Sequence, residues 1–577
     1  MNSLKLKPVI ATATQQDRQS IYTIRHSIYA EELEQYKTNS SGRLQDDLDK
    51  LNHYIVAKDK GQVIGFISIT SPASGKFSID KYFDRSELPF SFDGHLYEIR
   101  ILSVTKEHRN SSLAYILMYA AMRWVEAHGG KNIVAICRSE LLDMYSKIGL
   151  KPLGFSTRSG ALTYELSHAT LNDFHNWVSN KYELFKALSE RIEWKLPFSF
   201  FTPSPCYHGG AFFKAIGEDL QTLQTRDIII NADVLDAWFP PSPKVIESLQ
   251  KDLAWLLQTS PPTHCKGLAE AIAKARGVDE TSILPGGGSS DLIFLALQHF
   301  LHSGSRVLVL DPCYGEYRHV LDKIIQCSVT TFQLKKEDGF VVDTDSLLEE
   351  ILQGYDMVIL VNPNNPTGLH IPKEKMQEML SQVPADTLVW IDETYIEYVG
   401  TAASLEQFAT QTENIIVCKS MSKVYALSGA RIGYLCCAPH LIETLQLLMP
   451  PWPVSLPSQL AAITSLQDDN YYQKKYYETC LLREKMRLDL IELGMESVIE
   501  GMANFILFYL PADISSVVDF VEGCKRHNLY IRDVSTMGTT LGKGAVRIAV
   551  KDEKTNEKIM DVMRLVMGII SKIGVYP

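Results

Sequence analysis

The chain has 577 residues, 45% hydrophobic and 22% charged, with a net charge of −11; that length implies roughly two to four domains. The acidic balance, with no long Lys/Arg run, excludes nucleic-acid binding as the main activity. The ten cysteines are scattered, without a CxxC pair or Cys/His metal spacing, and no segment has the length of a membrane span; the composition predicts reduced thiols in a cytoplasmic protein with no metal site.

Helical periodicity opens the chain over Asp17–Gln35, with Ile21, Ile24, Ile28, Tyr29 and Leu33 on the apolar face. Strands are predicted at His53–Ala57, Val63–Thr70 and Leu96–Val104. The last runs into Lys106–Ala114, a basic, small-residue loop containing Arg109 and Ser112, and then a helix over Tyr115–His128. A strand feeding such a loop and a helix is an anion cradle, because the first backbone N–H groups of the helix face a pyrophosphate. A strand at Ile133–Cys137, a helix and turn over Leu141–Gly149, and a strand at Ala161–Leu166 complete a domain expected to span residues 1–168.

The stretches "LSVTKEHRNSSLAYILM" and "MYSKIGLKPLG" resemble the acyl-coenzyme-A loop and the later tyrosine element of the GNAT acyltransferase family. The loop departs from the family pattern, with Asn110 and Ser112 where glycines are usual. "RHSIYAEELEQY" and "YEIRILSV" are similar to the acyl-homoserine-lactone and N-acyl amino acid synthase branch, whose donor rides on acyl-CoA or an acyl carrier protein. The resemblance implies Arg109 and Ser112 at the donor, Glu98 as the base that deprotonates an amine, and Tyr145 as the acid for the departing thiolate. A structural alternative pairs Glu98 with Arg100 or Arg25 and buries Tyr145 in the core. A second reading makes the whole domain a non-catalytic module that binds acyl-CoA or a carrier protein.

Residues 169–205 are expected as a connector. An amphipathic helix over Asn172–Trp194 is followed by "KLPFSFFTPSPCYHGG", whose prolines and aromatics predict a rigid segment packed on a neighbouring domain.

From residue 206 to 577, strand and helix signals alternate, which predicts a mostly parallel sheet with helical crossovers. Ile283–Phe294 carries Gly286, Gly287 and Gly288 and then Ser289, Ser290 and Asp291, a phosphate seat at a helix start. Arg306–Tyr317 ends a buried strand at Asp311 and presents Tyr314, an aromatic ring able to stack on a planar heterocycle. Met357–Gly368 ends in "NPNNPTG", which holds the Asn365 amide at a strand tip, and Thr387–Glu397 ends a strand at Asp392 with Tyr395 three residues on. Finally, Cys418–Gly433 sets Lys423 between Ser420, Ser422 and Arg431. A lysine amine forms a Schiff base with an aldehyde, while serines and an arginine fork suit a phosphate ester. Aldehyde and phosphate together describe pyridoxal phosphate, whose ring nitrogen a buried carboxylate keeps protonated.

These five stretches, in this order, resemble fold type I pyridoxal-phosphate enzymes of the class I/II aminotransferase family. Within it they are similar to histidinol-phosphate aminotransferases and threonine-phosphate decarboxylases, as are "NADVLDAWFPPSPKV" and the "YHGG" of Tyr207–Gly210. The resemblance implies an α/β fold, a GNAT-like mixed domain followed by a large parallel-sheet domain (about 240–460) and a small α/β domain built from the N-terminal arm and about 461–577. It implies Lys423 as the Schiff-base lysine, Asp392 at the ring nitrogen, Asn365 and Tyr395 at the ring oxygen and Tyr314 on the ring face. The coenzyme phosphate would lie on Gly288, Ser289, Ser290, Ser420, Ser422 and Arg431, and the substrate on Arg547, Arg532 and Trp238. A homodimer is implied as well, although Thr259–His264 lacks the tyrosine that relatives lend to a partner's coenzyme phosphate. The residues leave transamination and decarboxylation of a small amino substrate equally open.

Overall fold

A computed structural model describes residues 7–573 apart from Asn110, Ile148, Ala161, Asn180, residues 202–209, Asp513 and Ser515. The chain divides into two compact units, residues 1–204 and 205–577.

The first unit is one eight-stranded mixed sheet. Its strands are β1 (Val9–Thr12), β2 (His53–Asp59), β3 (Gln62–Thr70), β4 (Leu96–Val104), β5 (Asn132–Arg138), β6 (Lys151–Ser159), β7 (Leu162–Thr170) and β8 (Glu193–Lys195), in the order β6-β7-β5-β4-β3-β2-β1-β8. The pairs β4–β5 and β1–β8 are parallel and the other pairs antiparallel. The helix expected over Asp17–Gln35 is an α-helix, α1 (Gln15–Arg25), that widens into a π-helical stretch over His26–Glu32. The N-terminus of α1 is fixed by a capping box between Thr14 and Asp17. The loop ends sooner than expected, because α2 (Leu113–Ala127) begins at Leu113; its apolar residues, Leu117, Ala120 and Ala121 among them, are fully buried against the sheet. The helix expected over Leu141–Gly149 is α3 (Leu142–Lys147).

The segment 169–205 differs more. Its expected single helix is two, α4 (Leu171–Ser179) and α5 (Tyr182–Glu190), followed by β8, which adds a parallel edge to β1. Folding back at Lys181 lets Phe174, Trp177, Phe185 and Leu188 enter one core with Tyr119, where a straight helix would leave half of them in water. The carbonyl of Phe200 receives the Tyr119 hydroxyl and the Arg123 Nε–H, so the aromatic tail is held by the same unit. Of "YHGG", only Gly210 lies among the described residues.

In the second unit a seven-stranded sheet is built from β10 (Ile283–Gly286), β11 (Arg306–Asp311), β12 (Ser328–Gln333), β13 (Met357–Val361), β14 (Leu388–Asp392), β15 (Ile415–Ser420) and β16 (Gly433–Cys436). The order is β10-β16-β15-β14-β13-β11-β12, with β16 antiparallel to both neighbours and the rest parallel. Its strands are near-continuous apolar runs because helices cover both faces. A smaller antiparallel sheet, β17-β20-β19, pairs β17 (Phe505–Tyr509), β20 (Ala545–Ala549) and β19 (Arg532–Asp533), while β9 (Ile230–Asn231) from the N-terminal arm pairs with β18 (Leu529–Tyr530). In a parallel sheet, ligands bind where strands end at their carboxyl ends; β11, β13, β14 and β15 all deliver sequence-predicted residues there. Among the described residues, no helix is long and apolar enough to cross a membrane.

Candidate active sites

In the second unit Lys423 lies in a short helix, Met421–Val424, whose N-cap Ser420 accepts the Ser422 N–H. The Lys423 ammonium donates to Asp236 Oδ1 at 2.7 Å, and Ser428 donates to the same oxygen at 2.7 Å. Burial pushes the Asp236 carboxyl up, yet the charge and hydrogen bond of Lys423 outweigh it and hold the carboxyl below its ordinary range. Arg431, with φ +55, turns back so that Nη1 reaches Ser422 Oγ at 3.5 Å. It also approaches Gly288, where a Cβ would stand 2.6 Å from Nη2, and the φ of +105 at Gly288 is what favours glycine at the head of the helix Ser289–Phe300. A Cβ on Gly433 would stand 2.6 Å from the Ser289 nitrogen, which locks β16 against the same helix start. Ser290 donates to Glu316 at 3.0 Å.

Asp392, at the end of β14, accepts from Tyr317 at 2.8 Å and from the amide and hydroxyl of Thr394 at 2.9 and 2.6 Å. Burial nevertheless raises its pKa. Tyr395 packs edge-on against Phe505 at 5.2 Å, and burial, only partly offset by the Arg547 charge, pushes its hydroxyl up. Tyr314 meets Tyr317 edge-on at 6.1 Å. Across the smaller sheet Arg532 and Arg547 are direct partners, an arrangement of like charges that costs stability unless an anion joins them. Arg547 donates to Asn365 Oδ1 at 2.7 Å and to the Asp233 carbonyl at 3.1 Å, and burial, reinforced by Arg532, pushes it down to about 10. Arg532 stands 3.7 Å from Asp233 Oδ1. Trp238 donates its indole N–H to Thr479 at 2.9 Å and carries Lys475 over its ring.

Three features escape the sequence reading. Ser428 and Tyr317 orient Lys423 and Asp392, and each lies within a turn or two of a singled-out residue. Lys551 lies under the charges of Asp236 and Lys423; its position four residues beyond Arg547 is the signal that marks it. Behind the site, Lys419, 1% exposed, sits 2.9 Å from Glu397, 3.6 Å from Glu393 and 3.9 Å from Glu406, while Arg276 meets Glu397 at 2.8 Å and Glu406 at 3.6 Å. These three carboxyls face two cations, so one retains a proton near neutrality. Burial pushes Glu393 from an ordinary 4.5 up to about 7, against the pull of Lys419. A raised carboxyl binds its proton more tightly when folded, so its contribution to stability is complete below pH 4.5 and lost as pH climbs to about 7. Glu393→Gln is therefore expected to remove about one proton's worth of slope from the stability profile over that window, read by urea unfolding from pH 4.5 to 8. An unchanged slope would place the retained proton elsewhere.

In the first unit Glu98 is fully buried on β4 and accepts from the amides of Ser78 and Ile79 at 2.7 and 3.1 Å and from the Ser78 hydroxyl. Burial raises its pKa. The alternative pairing of Glu98 with Arg25 or Arg100 does not form: Arg25 donates to Asp49 at 2.7 Å, and Arg100 pairs with Asp46. Tyr145 packs on the core, and burial beside Cys137 and Tyr29 pushes its hydroxyl up. Ile101 has φ +54 inside a bulge of β4, an outlier for a β-branched residue on a strand paired with both β3 and β5. The loop before α2 lines a small, mostly apolar depression with Pro8, Ile64, His108, Ser111, Ser112, Leu113 and Ile116. Ser112 is the N-cap of α2 but makes no side-chain cap bond, and Arg109 is paired with Glu32 at 2.7 Å. Asn110, the other departure from the family loop, lies outside the described residues.

Both units resemble known proteins. Residues 18–150 match the acetyltransferase (GNAT) family and residues 231–563 the aminotransferase class I and II family. The histidinol-phosphate aminotransferase of Staphylococcus aureus is 29% identical over 329 residues, 56% of this chain and 87% of the relative. Among solved structures, the histidinol-phosphate aminotransferase from Clostridium acetobutylicum superposes with a TM-score of 0.54 at 24% identity, covering 60% of this chain and 100% of that one. The L-threonine-O-3-phosphate decarboxylase from Porphyromonas gingivalis gives 0.51 at 21%, covering 59% and 100%. The histidinol-phosphate aminotransferase from Sinorhizobium meliloti, solved in complex with pyridoxal-5'-phosphate, gives 0.54 at 20%, covering 64% and 100%. These structural likenesses carry the fold alone. Taken with the family matches, they make this chain a member of the class I and II aminotransferase family that carries a GNAT-family domain ahead of the aminotransferase.

Proposed function

We propose that the chain is a two-activity enzyme. Its second unit transaminates or decarboxylates an amino acid or phosphorylated amino compound on pyridoxal phosphate, and its first unit transfers an acyl group from acyl-CoA or an acyl carrier protein to an amine. The observation that carries the first half is the meeting of Lys423 with Asp236 and of Arg547 with Asn365 at the ends of strands that also bear Asp392. The residues fit the coenzyme: Gly288, at φ +105, brings bare backbone to the helix start beside Arg431, and the buried Asp392 is held by Tyr317 and Thr394 with its pKa still raised.

When bound, pyridoxal phosphate supplies an electron sink for the pair left on the substrate's α-carbon. Asp392 would keep the pyridine nitrogen protonated, Asn365 and Tyr395 would hold the ring oxygen, and Tyr314 would lie at the ring. Gly288, Ser289, Ser290, Ser420, Ser422 and Arg431 would hold the phosphate through amides, hydroxyls and one guanidinium. Lys423 moves the proton to or from the α-carbon through its Nζ, and Arg547 fixes the substrate carboxylate, with Arg532 and Trp238 beside it. The test is an absorption titration of the coenzyme-loaded protein with amino acids and their phosphate esters. Lasting loss of the visible band with a keto product identifies transamination, and carbon dioxide with a returning band identifies decarboxylation. No spectral response to any of them counts against the reading.

For the first unit, Glu98→Ala and Tyr145→Phe are each expected to lower acyl transfer about 100-fold, the scale of a lost acid or base. A second reading, a non-catalytic acyl-CoA or carrier-binding module, is favoured by the Glu98 carboxylate, whose two oxygens are already taken by Ser78 and Ile79. Transfer unaffected by either substitution decides for that module. Joining two units that both act on an amino group raises the effective concentration of a shared intermediate.

A homodimer belongs to the same reading. The helix Pro243–Gln258 exposes Leu253, Trp255 and Leu257, and Leu447 and Trp452 are 88% and 56% exposed, a large apolar surface for a lone subunit. Sedimentation velocity is expected to give twice the 65.0 kDa chain mass, and a monomer at micromolar concentration contradicts it.

A further inference from the structure

The chain between Arg532 and Arg547 leaves β19, reaches the larger sheet and returns as β20. Its tip rests on the carboxyl end of β11. Asp311, only 5% exposed, accepts the Thr539 N–H at Oδ1 at 2.8 Å and the Thr539 hydroxyl at Oδ2. Its carbonyl accepts the Thr540 hydroxyl at 3.1 Å, and the Met537 carbonyl accepts the Cys313 N–H at 3.4 Å. A buried carboxylate is costly unless its oxygens are bonded, and here one loop residue bonds both. Gly538 comes closer still: a Cβ there would stand 2.3 Å from Asp311 Oδ1 and 2.6 Å from the Pro312 Cα. Backbone cannot swing aside as a long side chain can, so any side chain at 538 lifts the loop from β11.

The far end of the loop is tied to the same sheet edge. Arg547 donates to Asn365 Oδ1 at 2.7 Å, and the neighbouring Asn364 amide donates to the Pro312 carbonyl at 3.1 Å. The contacts close a circuit, from Thr539 to Asp311, from Pro312 to Asn364, from Asn365 to Arg547, and along the chain back to Thr539. Arg532 belongs to it as the cross-strand partner of Arg547. How the two arginines stand against the strand tips therefore depends on where the loop is seated on Asp311.

We propose that Asp311 is a positioning residue for the substrate-binding arginines: with Gly538 and Thr539 it clasps the loop to β11 and holds Arg532 and Arg547 where a substrate carboxylate is received. The inference rests on the reading of Arg547 as the carboxylate site. The bonds of the Asp311 carboxylate to the loop run to an amide and a hydroxyl. It acts through geometry, and an uncharged group of the same shape serves in its place.

The test is titration of the coenzyme-loaded full-length protein with butyrate, an amine-free carboxylate, followed by the shift of the visible band, with butyramide as the uncharged control. Asp311→Ala and Gly538→Ala are each expected to weaken butyrate binding about tenfold, while the band shows the coenzyme still attached. Asp311→Asn is expected to stay within about threefold of the unaltered protein, because an amide accepts the Thr539 N–H and donates to its hydroxyl. Thr539→Val, at an exposed position that spares the fold, removes the hydroxyl alone and is expected to weaken binding about threefold. Affinity within about twofold of the unaltered protein in Asp311→Ala, Gly538→Ala and Thr539→Val alike overturns the inference. So does a loss in Asp311→Asn equal to that in Asp311→Ala, which would make the charge and not the clasp the active element. No butyrate binding by the unaltered protein with the band present overturns the carboxylate site and its clasp together, and no band at all overturns the coenzyme reading beneath both.

Discussion

Lys423→Ala is expected to lower turnover of the second unit by about four powers of ten or more, since it removes at once the attachment point of the coenzyme and the base that moves the α-proton. The phosphate contacts do not depend on this side chain. Gly288, the helix start at Ser289 and Arg431 remain, so coenzyme binding is expected to survive, measurable by quenching of protein fluorescence. Asp236 loses its 2.7 Å partner in the same variant and retains Ser428. Residual turnover within tenfold of the unaltered protein would remove Lys423 from the chemistry.

Asp392→Asn is expected to lower kcat by about 10²- to 10³-fold, the scale of losing one preorganised electrostatic contact in a water-excluded site. Asparagine preserves the shape and the Thr394 contact at Oδ1, but an amide cannot hold a proton on the pyridine nitrogen, and its N–H₂ faces the Tyr317 hydroxyl that now donates at 2.8 Å. Tyr317 is itself tied to Trp390 at 2.9 Å, so it has little freedom to turn away. Steady-state kinetics separate this from a folding defect, because the effect falls on kcat while thermal stability stays within a few degrees. Unchanged kcat would mean that the ring nitrogen is not held by Asp392.

What the sequence made legible follows from locality. Lys423, Ser420, Ser422 and Arg431 lie within one strand-turn stretch, and Asp392 and Tyr395 within another, so they could be singled out together from spacing. The parallel sheet was equally readable, because buried strands such as Met357–Val361 are continuous apolar runs. The charge cluster behind the site was not: Arg276, Glu393, Glu406 and Lys419 are drawn from four separate elements, and nothing in any one stretch announces that a buried lysine will meet three carboxylates. Lys551 was missed for a different reason, since a lysine after a strand usually reads as a solvated end. In the first unit the break between α4 and α5 was hidden because Phe174, Trp177, Phe185 and Leu188 keep a helical spacing across it; only the need to cover Tyr119 forces the turn. Glu98 was identified by position, but its engagement by Ser78 and Ile79, twenty and nineteen residues away, depends on a loop whose course no periodicity encodes.

The most direct measurement of the proposed bond between Lys423 and the coenzyme is peptide mass spectrometry after borohydride reduction of the full-length protein incubated with pyridoxal phosphate. The predicted result is a single phosphopyridoxyl mass on the peptide containing Lys423, lost in Lys423→Ala. A label on Lys419 or Lys551 in its place, or no label at all, would contradict the assignment of the active site.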